Sequence, residues 1–322
     1  MSTSRAAVGF SITAPTSTVE RVVSHMVGGL GAVHQYVTML AWEECRRGDA
    51  GALYAARLDD LAGTRQDAAK QLVAGVIYND FPVPAEIDAD GAYVASLVPI
   101  DPMDADYITN ADFLWQPSAD DRWATGAVYK QLPGVVMALA GIRDDDADKA
   151  RRMLALRTAP ERTHYHFLRQ TADETDEQVV RQACDTAAAW FRVAVKRESL
   201  FVLGHIWHMV QDSFSPAHTA RSLGATDAAP YGTVDEVYFF GNQTDAWHSA
   251  HESWRAVEHP SSEGGRRVRA ALAPLAAILR RWLDAVYSPD DGTPDDEFLD
   301  GAVDAFREFM RTEVFARPLP PP

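Results

Sequence analysis

Cysteine is nearly missing from this 322-residue chain, with only Cys45 and Cys184 present. Two thiols are too few for a disulfide framework, and a reducing compartment suits them. Long apolar runs are missing too; none approaches the roughly 18–20 residues that a membrane-spanning helix needs. Positive charge is scarce: 30 Lys and Arg stand against 46 Asp and Glu, a net charge of −16 with a pI near 5.0. Long nucleic acid is therefore not an expected partner, because its phosphate backbone calls for clustered Lys and Arg. The segment from Met1 to Glu20 lacks a basic stretch followed by an apolar one, so no secretory leader is expected and the expected location is cytoplasmic. Internal repeats and long alternating, strand-like runs are also lacking.

What the chain does have is apolar periodicity at helical spacing. With 47% hydrophobic and 24% charged residues its composition is that of an ordinary globular protein. A helical stripe runs from Val22 to Ala41, crossed by Gly28, Gly29 and Gly31. A second helix is expected over 65–78, stopped at Asn79-Asp80-Phe81-Pro82, where the proline disfavours helical backbone at Phe81. Further helices are expected over 123–140, 146–156, 177–195, 199–211, 245–256, 266–287 and 296–315. Between them, 82–121 is rich in Asp, Pro and small residues and reads as an irregular acidic insertion. The expectation is a single compact all-α domain over 18–316, after an N-terminal extension (1–17) and before a Pro-rich tail (317–322).

The histidines are unevenly spread. Six of the ten lie in the 55 residues from His205 to His259, where an even spread would place about 1.7. The densest piece is Leu-Gly-His205-Ile-Trp-His208-Met-Val-Gln-Asp212-Ser-Phe-Ser-Pro216-Ala-His218. His208 and Asp212, four apart, share one face of a helix, and Pro216 ends that helix so that His218 follows on a turn. Composition alone predicts about 0.04 occurrences of this His-x3-acid-x5-His pattern. Imidazole and carboxylate donors suit Zn²⁺. His208 with Asp212 alone also fits a hydrogen-bonded core pair. His248 and Glu252 repeat the His-x3-acid spacing; that pair alone fits a solvated helix face, since composition predicts about 1.4 such pairs.

The segment from His208 to His218 has the His-x3-Asp-x3-Pro-x-His spacing of the bacterial zinc-dependent phospholipase C family, which includes the fungal single-strand-specific nucleases, and the chain resembles that family. Other pieces follow in the family's order: His34 in Ala-Val-His-Gln-Tyr-Val, Asp80 followed by Phe81, His164 and His166 in Thr-His-Tyr-His-Phe, and His248 with Glu252. The resemblance implies an all-α fold with a zinc cluster at the bottom of a cleft, cleaving phosphoester bonds. It implies one zinc held by Asp80, one of His164 or His166, His208 and Asp212. A second would take His218, His248 and Glu252, and a third His34 with a bridging Asp212. The family completes its third site with an N-terminal Trp, whereas this sequence opens on Met1, so two tightly held ions and a third, exchangeable one are expected. Asp80 would be the catalytic carboxylate that orients or deprotonates the attacking water, which the cluster acidifies. His205 and His251 are candidates for supporting the ligands, and Phe81 and Arg221 for contacting substrate. A small or lipid-like phosphoester is the expected substrate. The alternatives are a nuclease or 3′-nucleotidase of the same fold, a metal-dependent lyase or cyclase acting on a specialised metabolite, and a non-catalytic metal-binding protein.

Overall fold

A computed structural model of the chain describes residues 33–46, 51–62, 71–73, 75–76, 79, 160–239, 241, 259–287 and 295–318. Six α-helices dominate these residues: α1 (Val33–Cys45), α2 (Gly51–Ala62), α3 (Asp176–Lys196), α4 (Leu200–Phe214), α5 (Glu263–Val286) and α6 (Asp296–Phe309). A 3-10 helix, Pro160–His166, precedes α3, and a π-helical turn, Met310–Val314, prolongs α6. The one sheet among the described residues is an antiparallel pair, β1 (Thr219–Ser222) with β2 (Thr233–Val237), whose register slips between Ala220 and Arg221.

Local chemistry sets these boundaries. Thr175 and Gln178 form a reciprocal capping box that starts α3, within one residue of the expected 177–195. Ser199 caps α4 by accepting from the Val202 amide at 3.2 Å. Helix α4 then runs three residues past the expected Gln211 to Phe214 and stops two residues short of Pro216. The helical residues 71–73 and 75–76 lie inside the stretch expected over 65–78. Helix α2 was not expected, and neither was the β1–β2 pair. The helices expected over 123–140, 146–156 and 245–256, the acidic insertion over 82–121 and the N-terminal extension lie outside the described residues.

Every residue of α4 is buried, and its apolar side chains leave no face for solvent. Around it pack α1, α3 and α5, with the 3-10 helix against its C-terminal half. Trp42, Trp190, Trp207 and Trp282 are all fully buried in this core. The helical residues around Gly75 approach α4 at Gly204, backbone against backbone. A Cβ on Gly204 would lie 2.7 Å from the Gly75 carbonyl carbon, and one on Gly75 would lie 1.9 Å from the Phe201 oxygen. Atoms that close must move apart, so Gly204→Ala is expected to cost about 3 kcal/mol, the upper range for an overpacked core. Urea unfolding of the purified variant measures it; a loss under about 0.5 kcal/mol, the size of an ordinary surface substitution, would show that the crossing is loose.

Among the described residues no helix is long and apolar enough to cross a membrane.

Candidate metal centre

Helix α4 carries five buried polar side chains in nine residues: His205, His208, Gln211, Asp212 and Ser213. Polar groups in a core need partners, and those of His208, Gln211 and Asp212 come from three other parts of the chain. Helix α1 supplies His34, the 3-10 helix supplies His166, and the turn beyond α4 supplies His218.

These converge on Asp212. Its Oδ2 lies 2.9 Å from His208 Nε2, 3.2 Å from His166 Nδ1 and 3.8 Å from His218 Nδ1. Its Oδ1 lies 3.4 Å from His34 Nε2. His208 Nε2 is also 3.0 Å from His166 Nδ1, and the His34 and His208 rings stack with centroids 4.5 Å apart. One carboxylate is thus shared by four imidazoles. Burial pushes the Asp212 carboxyl up, but charge on His208 and His218 beside it, with hydrogen bonds from His166 and His208, holds it well below the usual carboxylate range.

The backbone around the cluster is tightly fixed. Ser215 caps α4, and its carbonyl accepts from the His218 and Thr219 amides, both at 3.1 Å. Thr219 Oγ1 reaches back to the Ser213 carbonyl at 2.8 Å, while Arg267, buried on α5, donates to the Thr219 carbonyl at 3.0 Å. His218 Nδ1 donates to the carbonyl of His166, which fixes the ring tautomer and turns Nε2 into the ligand position. On the other side Phe167 takes a left-handed φ of 50°, rare for a bulky residue, with its buried ring against Phe315 at 4.5 Å. That reversal directly follows His166 and delivers its ring to Asp212.

His34, His208 and Asp212 form a buried group able to hold a metal ion, with one donor atom from each within 4.8 Å of the others. Two donors about 2.0–2.1 Å from a tetrahedral ion lie about 3.3 Å apart. The His34–Asp212 and His166–Asp212 separations, 3.4 and 3.2 Å, match that spacing. The donors present are therefore suited to holding a metal ion.

Of the two histidines left open by the sequence, His166 joins the cluster, while His164 is partly exposed and packs edge-on against Tyr165. His205 is buried beside Phe201 and Trp190, with Nδ1 2.5 Å from Asn79 Oδ1. Asn79 also donates to the His205 carbonyl at 3.3 Å, which ties the residue before Asp80 to α4. Arg221 turns away from substrate duty: its guanidinium lies over the Phe214 ring at 3.7 Å and donates to the carbonyls of Val314 and Tyr231. Burial, reinforced by Arg267, pushes its pKa down to about 9. The two thiols are buried and pushed up, Cys45 to about 11 and Cys184 to about 12, so neither offers a thiolate at neutral pH. Asp80, Phe81, His248, His251 and Glu252 lie outside the described residues. Gln211 and Thr38, which hold His34, were not singled out by the sequence reading.

Compared with models of protein families, with curated proteins and with solved structures, the chain has no match.

Proposed function

We propose that the chain is a zinc-dependent phosphoester hydrolase. The observation that carries this reading is the position of Asp212, one buried carboxylate placed among four imidazoles drawn from four segments. A carboxylate with different imidazoles on its two oxygens suits a bridge between ions, the arrangement used for in-line displacement at phosphorus. The His-x3-Asp-x3-Pro-x-His spacing and the order of the other histidine segments support the same reading.

In this proposal His34, His166, His208 and Asp212 would hold metal, and His218 would contribute to a neighbouring ion. Zinc, when bound, supplies Lewis acidity and a water acidified toward neutral pH. Asp80 would be the carboxylate that accepts a proton from the attacking water, and His248 with Glu252 would be the further ligands beside His218. The four histidines and Asp212 are nearly closed to solvent, so the charges they present act in a low dielectric and are strong. The substrate is a small or lipid-like phosphoester.

Metal analysis of protein purified without chelators is expected to give two to three zinc ions per chain. Turnover of bis-p-nitrophenyl phosphate is expected to vanish on chelation and return with Zn²⁺. Less than one ion per chain would sink the metal reading. A full complement of zinc without any phosphoesterase activity would leave a metal-binding protein and remove the hydrolase.

A further inference from the structure

Three hydrogen bonds behind His34 leave its side chain a single orientation and a single tautomer. The Thr38 hydroxyl donates to the His34 carbonyl one turn earlier, at 2.8 Å. A carbonyl can only accept, so the Thr38 proton is committed and its oxygen must accept from the neighbouring amide of Gln211, whose Nε2 lies 2.9 Å away. The orientation of that amide is thereby set, and Gln211 Oε1 faces His34 Nδ1 at 2.8 Å. An amide oxygen accepts, so Nδ1 carries the proton, and in the neutral form that binds metal the lone pair lies on Nε2. Nε2 in turn points at Asp212 Oδ1, 3.4 Å away. In that form two electron-pair donors face each other in a buried site, and a cation between them removes their repulsion. Their separation is the edge of a tetrahedral zinc site.

We propose that Gln211 and Thr38 are positioning residues that fix His34 in the Nδ1-protonated tautomer and aim its Nε2 as a metal ligand beside Asp212; this rests on the metal-centre reading above. Gln211 is adjacent in sequence to Asp212, so one turn of α4 carries both the shared carboxylate and the group that sets the tautomer of the imidazole facing it. All three braced residues are buried, Thr38 completely, which keeps water from competing for these bonds.

The test uses the full chain stripped of metal, titrated with Co²⁺ and followed by visible absorption, alongside nitrogen-detected NMR of the histidine rings. Gln211→Leu keeps the bulk but loses the acceptor, and is expected to weaken Co²⁺ binding by about 10- to 100-fold, the usual effect of losing a partner behind a ligand. Gln211→Glu keeps an oxygen toward Nδ1 but loses the amide that donates to Thr38, and is expected to weaken Co²⁺ binding clearly less than Gln211→Leu. His34 in the wild type is expected to show a protonated Nδ1 with and without metal, a readout that a merely space-filling role would not produce. The proposal is overturned if Gln211→Leu binds Co²⁺ as tightly as wild type, if the Leu and Glu variants weaken equally, or if Nδ1 of wild-type His34 is unprotonated. Should the wild type bind no Co²⁺ at all, the metal centre itself falls and takes the brace with it, a result distinct from the other three.

Discussion

Asp212→Asn is expected to release at least one zinc ion and to lower phosphoesterase turnover by more than about 100-fold, the upper end of what losing a mere supporting partner costs. Asn keeps the size and one oxygen but removes the charge that His34, His166, His208 and His218 share. Four imidazoles then face a neutral amide in a buried place, and an ion held there loses its anionic ligand. Zinc content by atomic absorption and turnover of bis-p-nitrophenyl phosphate read the two effects, with far-UV circular dichroism to confirm the fold. An Asp212→Asn protein that keeps all its zinc would end the role of Asp212 as the shared ligand. One that keeps its zinc-dependent turnover would remove it from the chemistry.

The second large effect concerns Asp80. Asp80→Asn is expected to slow turnover by about 10² or more, the scale of losing a general base, while the ion held by His218 stays bound. His218→Ala is expected to do the reverse in metal terms, emptying that second site and taking most of the activity with it. Zinc stoichiometry of the two variants separates them. If Asp80 serves only to end a helix before Pro82, its substitution leaves both rate and metal unchanged. The neighbouring Asn79 has a structural task of its own, clasping His205 from both ends of its amide. Asn79→Ala is therefore not a substitute for the experiment on Asp80.

The helical class was readable because the long helices carry their own signals. Helix α3 has a capping box, two acidic residues in its first turn and a regular buried stripe, and its limits fell within a residue of expectation. The pairing of His208 with Asp212 was equally local, being a matter of helical spacing. Helix α2 escaped notice because its pattern is weak: Leu53 is 54% exposed, and alanines with partly buried residues fill much of the remainder. The β1–β2 pair escaped for a different reason. Thr-Ala-Arg-Ser has no apolar alternation, and the pair is secured from far away, by the Ala316 carbonyl accepting from Val234 and by Arg317 donating back to it. Convergence of His34 on Asp212 joins residues far apart in the chain and could be expected only from the family resemblance. Gln211 and Thr38 left a faint trace, a polar residue one turn after His34 and another directly before Asp212. Neither residue type is among the usual ligands of zinc.

The complete burial of α4 bears on how the protein breathes. Amide protons in such a helix exchange with solvent mainly when the whole molecule opens, so α4 is among the last segments to take up deuterium. A ligand that stabilises the native state lengthens that protection by its binding free energy, RT ln(1 + [L]/Kd). Deuterium uptake in α4 therefore reports whether an ion binds at Asp212, independently of any assay of activity.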